Sequence, residues 1–245
     1  MGGSPDLVLA AFHWLELLGL LGGIGAAVIR RLGRVPPRLT WAEPPMHVAF
    51  AAAVLGGLGL LALGPSWFLL ARVLAEGAAL FLCVRGRRFA PVFAVLAAGL
   101  LPLTGHAAAI TPESPGAIFA DVLHVLSAAM WAGAILAMAS LQPPEGWTGG
   151  EARSLLMRFG RVALIAFGIT ALTGVLRATE QLHDVSDLWS TPYGIVLGLK
   201  SAGVLAMLAL SAAWRDGRPV ARTEAAVGLL VVGATALLAA IPVQA

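Results

Sequence analysis

Cysteine and charged residues are both scarce in this 245-residue sequence. Cys83 is the single cysteine, which excludes an internal disulfide and any metal cluster built on several cysteines. Charged residues make up 12% of the chain, about half of their usual share in a soluble globular protein. A basic domain is also lacking, because the arginines lie at the ends of apolar blocks. The pI near 10.0 therefore does not indicate nucleic-acid binding.

Apolar residues, by contrast, make up 59% of the sequence. They fall into blocks of roughly 16 to 24 residues, and a bilayer core about 30 Å thick requires about 20 apolar residues per helix. We therefore predict an all-α polytopic membrane bundle of about eight transmembrane helices, in a single integral membrane domain over residues 1–245. The predicted helices span residues 7–29, 46–63, 66–84, 89–104, 117–140, 155–176, 193–213 and 222–242.

Lysine and arginine are distributed unevenly between the two sides of this predicted bundle. Thirteen of the sixteen fall on one side, at positions Arg30, Arg31, Arg34, Arg38, Arg85, Arg87, Arg88, Arg153, Arg158, Arg161, Arg215, Arg218 and Arg222. Arg177 is predicted to lie in a loop on the other side. Because cytoplasmic loops carry an excess of lysine and arginine, we expect a bacterial cytoplasmic (inner) membrane protein with both termini outside.

The first and fifth predicted helices share a short pattern. Matching residues at equal offsets are His13, Leu15, Gly22 and Ile24 in the first helix and His124, Leu126, Gly133 and Ile135 in the fifth. This pattern suggests that helices one to four and five to eight form a 4+4 parallel repeat, an arrangement found in some transporters.

Ionisable side chains lie within the predicted helices that enter the membrane from the outside. Such groups are costly in a bilayer, so each is a functional candidate. At 1.5 Å per residue, the depths are about 6 Å for Asp121, about 9 Å for His13 and Arg72, about 10 Å for His124 and Lys200, and about 14–15 Å for Glu16 and Glu76. His106 lies at the outer mouth, directly after the fourth helix. The sequence therefore predicts a polar layer in the outer half of the bundle.

Three histidines in such a layer suit a site where a metal ion enters. The predicted ligands are His13, His106 and His124. Glu16 and Asp121 each lie three residues from a histidine and would orient its ring by accepting the second N–H. Imidazole suits zinc, copper, iron and nickel. We therefore expect a transition metal, held by imidazoles and supported by carboxylates.

Other residues near this layer have both a functional and a structural interpretation. Met130 and Met138 follow His124 on the fifth helix, eight residues apart and near one face of a regular α-helix, and would carry a soft cation inward, although methionine usually fills cores. Arg72 and Lys200 would pair with Glu76 and Asp121, or extend to the interface. A membrane histidine often only forms hydrogen bonds between helices. No nucleophile–base pair or glycine-rich phosphate loop appears in register, so we do not expect an enzyme.

Several short motifs in the second half of the chain follow one another in a defined order. They are Thr104-Gly105-His106-Ala107, Asp121-Val122-Leu123-His124, Trp131-Ala132-Gly133, Arg158-Phe159-Gly160-Arg161, Thr173-Gly174-Val175, and Thr191-Pro192-Tyr193-Gly194 with Lys200. Over about residues 100–215, this order and spacing resembles the CopD family of bacterial inner-membrane copper resistance proteins. The resemblance implies copper as the metal, often with a periplasmic copper-binding partner of the CopC type. It maps the family's histidines onto His106 and His124.

The leading hypothesis is a copper-binding membrane protein for transport or tolerance, in which copper enters from the periplasm at the histidine site. Two alternatives remain open at this point. One is a b-type cytochrome in which His13 and His124 are axial ligands of one haem b. The other is an assembly factor that delivers copper to a respiratory oxidase without transporting it.

Overall fold

The computed structural model describes residues 6–104, 115–182, 184–215 and 221–241. Every regular element within these ranges is helical, which confirms the predicted all-α class. The helices are α1 (Leu7–Gly33), α2 (Met46–Leu63), α3 (Trp67–Val84), α4 (Ala90–Leu100), α5 (Pro115–Ala128), α6 (Ala134–Ala139), α7 (Gly150–Gln181), α8 (Asp187–Ser190), α9 (Pro192–Arg215) and α10 (Ala221–Ala240). A 3-10 turn, Leu101–Thr104, extends α4, and a π-helical turn, Ala129–Gly133, joins α5 to α6.

Seven helices in the described ranges are long and apolar enough to cross a membrane. They are α1, α2, α3, the continuous α5–α6 segment, α7, α9 and α10. The predicted polytopic membrane bundle is therefore confirmed. The remaining predicted helix, 89–104, corresponds to α4 and its 3-10 turn, which are apolar but short. Eight membrane crossings therefore stay a prediction.

The helix α7 is longer than the sequence predicted, with 32 residues in place of the expected 155–176. It begins at Gly150 and continues to Gln181, so Arg177 lies within the helix and not in a loop. The reason is that hydropathy marks the hydrocarbon layer, whereas a helix continues into the polar interface as long as its backbone is hydrogen-bonded.

The two helices that carry most of the buried charge begin at side-chain caps. The Asp6 carboxylate accepts hydrogen bonds from the backbone N–H groups of Val8 and Leu9 at 2.9 and 3.1 Å, at the start of α1. The Ser66 hydroxyl accepts one from the N–H of Leu69 at 3.2 Å, at the start of α3. Such caps satisfy N–H groups that have no partner within the helix and define where each helix begins.

Helix α1 lies at the centre of the bundle and approaches its neighbours through glycines. A Cβ atom added at Gly19 would overlap the backbone of α2, and one at Gly56 of α2 would lie 2.7 Å from the Glu16 Cα atom. On another side of α1, a Cβ at Gly25 would overlap Gly133 of the π-helical turn, and one at Gly133 would overlap the Leu21 carbonyl. Small residues of this kind let membrane helices pack at close distance.

The arginine clusters of the first and sixth predicted helices lie at the same end of the bundle. Arg158, near the start of α7, donates hydrogen bonds to the carbonyls of Leu32, Val35 and Pro37 at 2.9, 2.8 and 3.2 Å. These carbonyls belong to the last turn of α1 and the loop that follows it. At the same end, the Trp41 indole N–H donates to Glu151 at 2.7 Å. That this end faces the cytoplasm stays a prediction.

The packing of the two halves agrees in part with the proposed 4+4 repeat. Helix α1 packs on α2 as α5 packs on α7, and α3 packs on α4 as α9 packs on α10. The aligned first helices of the halves, α1 and α5–α6, cross each other beside Gly133. The halves differ in their middle pair, because α2 packs closely on α3 whereas α9 packs mainly on α8 and α10. The repeat therefore stays a prediction.

The close contact at Gly133 gives a first prediction, for the variant Gly133→Ala. The added methyl group would overlap the Leu21 carbonyl, so we expect a loss of about 1–3 kcal/mol in the free energy of unfolding, measured by thermal denaturation in detergent. Gly168→Ala on α7 is the matched control, because no atom lies within 4 Å of its Cβ position. The control should be neutral or more stable, since alanine favours helix by about 1 kcal/mol over glycine. Equal effects of the two substitutions would contradict the close contact.

Candidate functional site

A buried ion pair joins α1 to α3. The Arg72 Nη2 atom donates a hydrogen bond to Glu16 Oε2 at 3.1 Å, and Arg72 Nε lies 2.9 Å from Glu16 Oε1. Both side chains are almost completely buried, with exposed fractions of 1% and 0%. Glu76, one turn after Arg72 on α3, is buried to the same degree. These three residues, the acid–arginine cluster, therefore place two carboxyl groups beside one guanidinium.

Two adjacent glycines of α2 make room for this cluster. A Cβ atom at Gly57 would lie 2.6 Å from Glu76 Oε2 and 3.2 Å from Glu16 Oε1, and one at Gly56 would meet the Glu16 backbone. A larger residue at either position would displace the carboxyl groups or separate α1 from α2. The sequence interpretation missed this role. The signal available was a Gly-Gly pair within an otherwise apolar helix.

His13 lies at the edge of the acid–arginine cluster. Its Nδ1 atom is 4.0 Å from Glu16 Oε2, and its side chain is 20% exposed. Glu16 was predicted to orient this ring, but its oxygens contact Arg72 at shorter distance because a guanidinium attracts a carboxylate more strongly than an imidazole does. The Arg72 side chain was predicted to pair with Glu76, and its direct ion pair is with Glu16.

The second histidine of the predicted layer, His124, lies between α5 and α7. Its Nδ1 atom is 3.1 Å from the Thr170 carbonyl and 3.0 Å from the Thr173 hydroxyl oxygen. A carbonyl can only accept, so Nδ1 carries the proton. The Thr173 hydroxyl donates its own proton to the Ile169 carbonyl at 2.7 Å and therefore accepts from Nδ1 as well. In the neutral imidazole, this arrangement leaves Nε2 unprotonated and able to bind a metal ion.

The residues around His124 explain the Thr-Gly motif of α7. A Cβ atom at Gly174 would lie 3.3 Å from the His124 Cε1 atom, so glycine leaves space for the ring. The Ser127 and Thr170 hydroxyl groups are hydrogen-bonded at 2.8 Å and extend the polar contact between α5 and α7. In the sequence, Thr173 and Gly174 stand out only as part of a motif, which does not indicate their contact with His124. Their role requires the register of α5 against α7, which the sequence does not reveal.

Charged groups also surround His124. The Arg177 Nε atom lies 2.7 Å from Asp121 Oδ1, and the Lys200 ammonium interacts electrostatically with both Asp121 and His124. The predicted pairing of Lys200 with Asp121 stays a prediction. Asp121 was also predicted to orient the His124 ring, but Thr170 and Thr173 occupy its Nδ1 atom.

The predicted site residues fall into two separate groups. His13 lies beside the acid–arginine cluster, whereas His124 contacts α7. Within the described ranges, no group of three or more His, Cys, Asp or Glu residues could hold a metal ion. His106, the third predicted ligand, lies outside the described residues. The described ranges therefore contain at most part of the predicted ligand set.

The two methionines that follow His124 lie in different environments. Met130 is 38% exposed, whereas Met138 is completely buried in the core. The sequence interpretation placed them near one face by assuming a regular α-helix. The π-helical turn, Ala129–Gly133, contains Met130 and changes the angular position of the residues around it. A continuous path along both sulfur atoms is not evident in this arrangement.

One further buried acid lies outside both groups. Glu224, in the first turn of α10, is 1% exposed and accepts a hydrogen bond from the Ser211 hydroxyl of α9. Its burial could not be predicted from the sequence, because acidic residues are common near the start of a helix, where they interact favourably with the helix dipole. Its hydrogen bond links the ends of α9 and α10.

The acid–arginine cluster gives a second prediction, for the variant Arg72→Met. Removing the guanidinium leaves two buried carboxyl groups without their cation, so we expect a loss of about 3–5 kcal/mol in the free energy of unfolding in detergent. Adding Glu16→Gln to Arg72→Met should restore part of that loss, since the two residues are directly coupled. Arg87→Met, at an exposed position, is the control and should be nearly neutral. Additive effects of Arg72→Met and Glu16→Gln would contradict the ion pair.

Comparison with known proteins gives two matches in agreement with these motifs. The family model CopD, described as copper resistance protein D, matches residues 153–238. The copper transport protein CutJ of Bacillus subtilis (strain 168) is 35% identical over 112 residues, which are 44% of this chain and 20% of that protein. The chain thus spans about a fifth of the length of this relative. No solved structure matches the chain.

The matched region differs from the one that the motifs indicated, about residues 100–215. It begins after His124 and extends further along α10. It includes Thr170, Thr173 and Lys200, which surround the His124 ring. The predicted resemblance to the CopD family agrees with this match, which covers residues 153–238.

Proposed function

We propose that this protein binds copper within the membrane and takes part in copper transport or tolerance across the bacterial cytoplasmic membrane. The observation that carries the proposal is the His124 ring, whose Nδ1–H is held by Thr170 and Thr173 so that Nε2 is available to a metal ion. Metal-binding histidines are commonly oriented in this way by a second hydrogen bond.

The family relationship supports copper as the metal. The residues that orient His124 lie in the region that matches the CopD family, described by its copper resistance protein. The relative CutJ is named a copper transport protein, and copper is proposed here as the cargo for this chain by that likeness. Imidazole is a suitable ligand for copper. A binding or transport role, and not catalysis, is therefore proposed.

The charges near His124 favour a copper ion of low charge. Arg177 and Lys200, which both carry a positive charge, lie near the ring. Because Coulomb repulsion grows with the charge of the ion, a monovalent cation is tolerated better than a divalent one. We propose Cu(I) as the form bound at His124, with His106 as the further candidate ligand, whereas His13 lies in the separate group beside Glu16.

The proposed site lies in the half of the bundle away from the arginine-rich end. His124 is in α5, before the π-helical turn, whereas Arg158 and its carbonyl partners lie at the opposite end of α7. Under the expected orientation, copper reaches His124 from the periplasm, where a CopC-type protein would supply it. The surrounding lipid covers the apolar outer faces of the helices.

Copper binding by His124 gives the third prediction. In purified protein, His124→Ala should abolish high-affinity Cu(I) binding, measured by competition with a chromophoric Cu(I) chelator. Thr173→Val keeps the shape of the side chain but removes an acceptor of the Nδ1 proton, so we expect an affinity about 10–100-fold lower. His47→Ala, an exposed histidine at the start of α2, is the control and should bind copper as the wild type does. Wild-type affinity in His124→Ala would refute the site.

Two further measurements on the same preparation separate the alternatives. An intense Soret absorption band that disappears in His124→Ala would identify a b-type cytochrome, and its absence would exclude that hypothesis. Copper uptake into proteoliposomes would identify a permease. Copper binding without uptake would favour the assembly factor, which delivers copper to another protein.

A further inference from the structure

The Glu76 carboxyl group is buried in the membrane without a hydrogen-bond donor. Its exposed fraction is 0%, and neither of its oxygens accepts a hydrogen bond from a donor in the described ranges. An unsatisfied carboxylate in a low-dielectric interior is costly, far more so than an unsatisfied neutral group. The Arg72 guanidinium, the nearest cation on the same helix, is already held by Glu16.

The group that Glu76 faces is a second carboxyl. Glu76 Oε2 and Glu16 Oε1 lie 2.6 and 3.2 Å from the same point, the Cβ position at Gly57, which places the two carboxyl groups side by side. Two carboxylates are both acceptors and cannot form a hydrogen bond. A carboxylic acid and a carboxylate can. The facing oxygens therefore require a proton between them to form a bond.

The charges in the cluster lead to the same requirement. Arg72 balances one carboxylate. Among the described residues, the charged groups that act on Glu76 are Glu16 from α1 and Arg72 from its own helix, and α2 approaches it with Gly57. His13 lies on the other side of Glu16, at 4.0 Å. One positive charge is thus needed to neutralise the second carboxyl. A metal ion fits poorly, because a guanidinium already occupies the adjacent position and no group of three ligands is present in the described ranges.

We infer that Glu76 is a proton-binding site within the membrane, whose proton forms the hydrogen bond to Glu16 while Arg72 fixes Glu16 in place. The site is separate from the His124 region and does not depend on copper binding. When Glu76 is protonated, the three residues are neutral overall and α1, α2 and α3 are held together. When the proton leaves, two carboxylates face each other at Gly57 and repel.

The fourth prediction tests this site by infrared spectroscopy and by stability. In copper-free purified protein, the wild type should show a protonated-carboxyl C=O band that Glu76→Gln lacks. Glu76→Gln should still fold, since its amide is neutral and donates to Glu16. The thermal midpoint of the wild type should fall by several degrees as pH rises, because the folded protein then loses the Glu76 proton and its hydrogen bond to Glu16. The thermal midpoint of Glu76→Gln should not show this fall.

Glu224→Gln is the matched control, since Glu224 is also a buried membrane acid but accepts a hydrogen bond from Ser211. It should retain the band component that Glu76→Gln removes. An unchanged band in Glu76→Gln would overturn the inference, as would identical pH dependence of stability in Glu76→Gln and the wild type. Cu(I) affinity in Glu76→Gln should equal that of the wild type, so a failure here is distinguishable from a failure at His124.

Discussion

The bilayer interior offers no water to a polar group, and this constraint organises the structure around a few side-chain pairs. Arg72 reaches Glu16, and the His124 Nδ1–H reaches the Thr170 carbonyl. Each pair joins two helices, so satisfying a polar group also selects which helices are neighbours and at what register. Apolar contacts alone would allow many registers, because lipid chains and leucine side chains are equally apolar. The polar pairs therefore select the helix neighbours and their register, and apolar side chains pack in the arrangement that results.

Glycine is what brings the partners of these pairs within reach. Gly56 and Gly57 allow α2 to lie against the two carboxyl groups, and Gly174 leaves space for the imidazole of His124. A glycine lowers helix propensity by about 1 kcal/mol, which is a small cost compared with a polar group left without a partner in the membrane. The buried polar groups therefore depend on the glycines, because larger residues at these positions would separate the helices that carry their partners.

The sequence predicted the features that depend on composition and spacing along one helix. Apolar block length located the membrane helices, and the ordered motifs indicated a resemblance to the CopD family, whose model matches residues 153–238. It did not reveal contacts that depend on how helices rotate against one another. Thus Thr170, and not Asp121, orients His124, because hydrogen-bond partners across helices are set by register. The π-helical turn likewise invalidated a helical-wheel argument for Met130. The position of His106 relative to His13 and His124 stays a prediction, because His106 lies outside the described residues.

The contacts of Arg158 have a consequence for the order of biosynthesis. Its guanidinium reaches the carbonyls that end α1, across more than 120 residues of intervening chain. While the protein is being made, the last turn of α1 and its following loop must remain hydrated at the membrane surface until α7 has emerged. The C-terminal end of α1 therefore reaches its final contacts only after α7 has been made. Closure of the arginine-rich end thus requires α7, whose Arg158 lies in the region that matches the CopD family model.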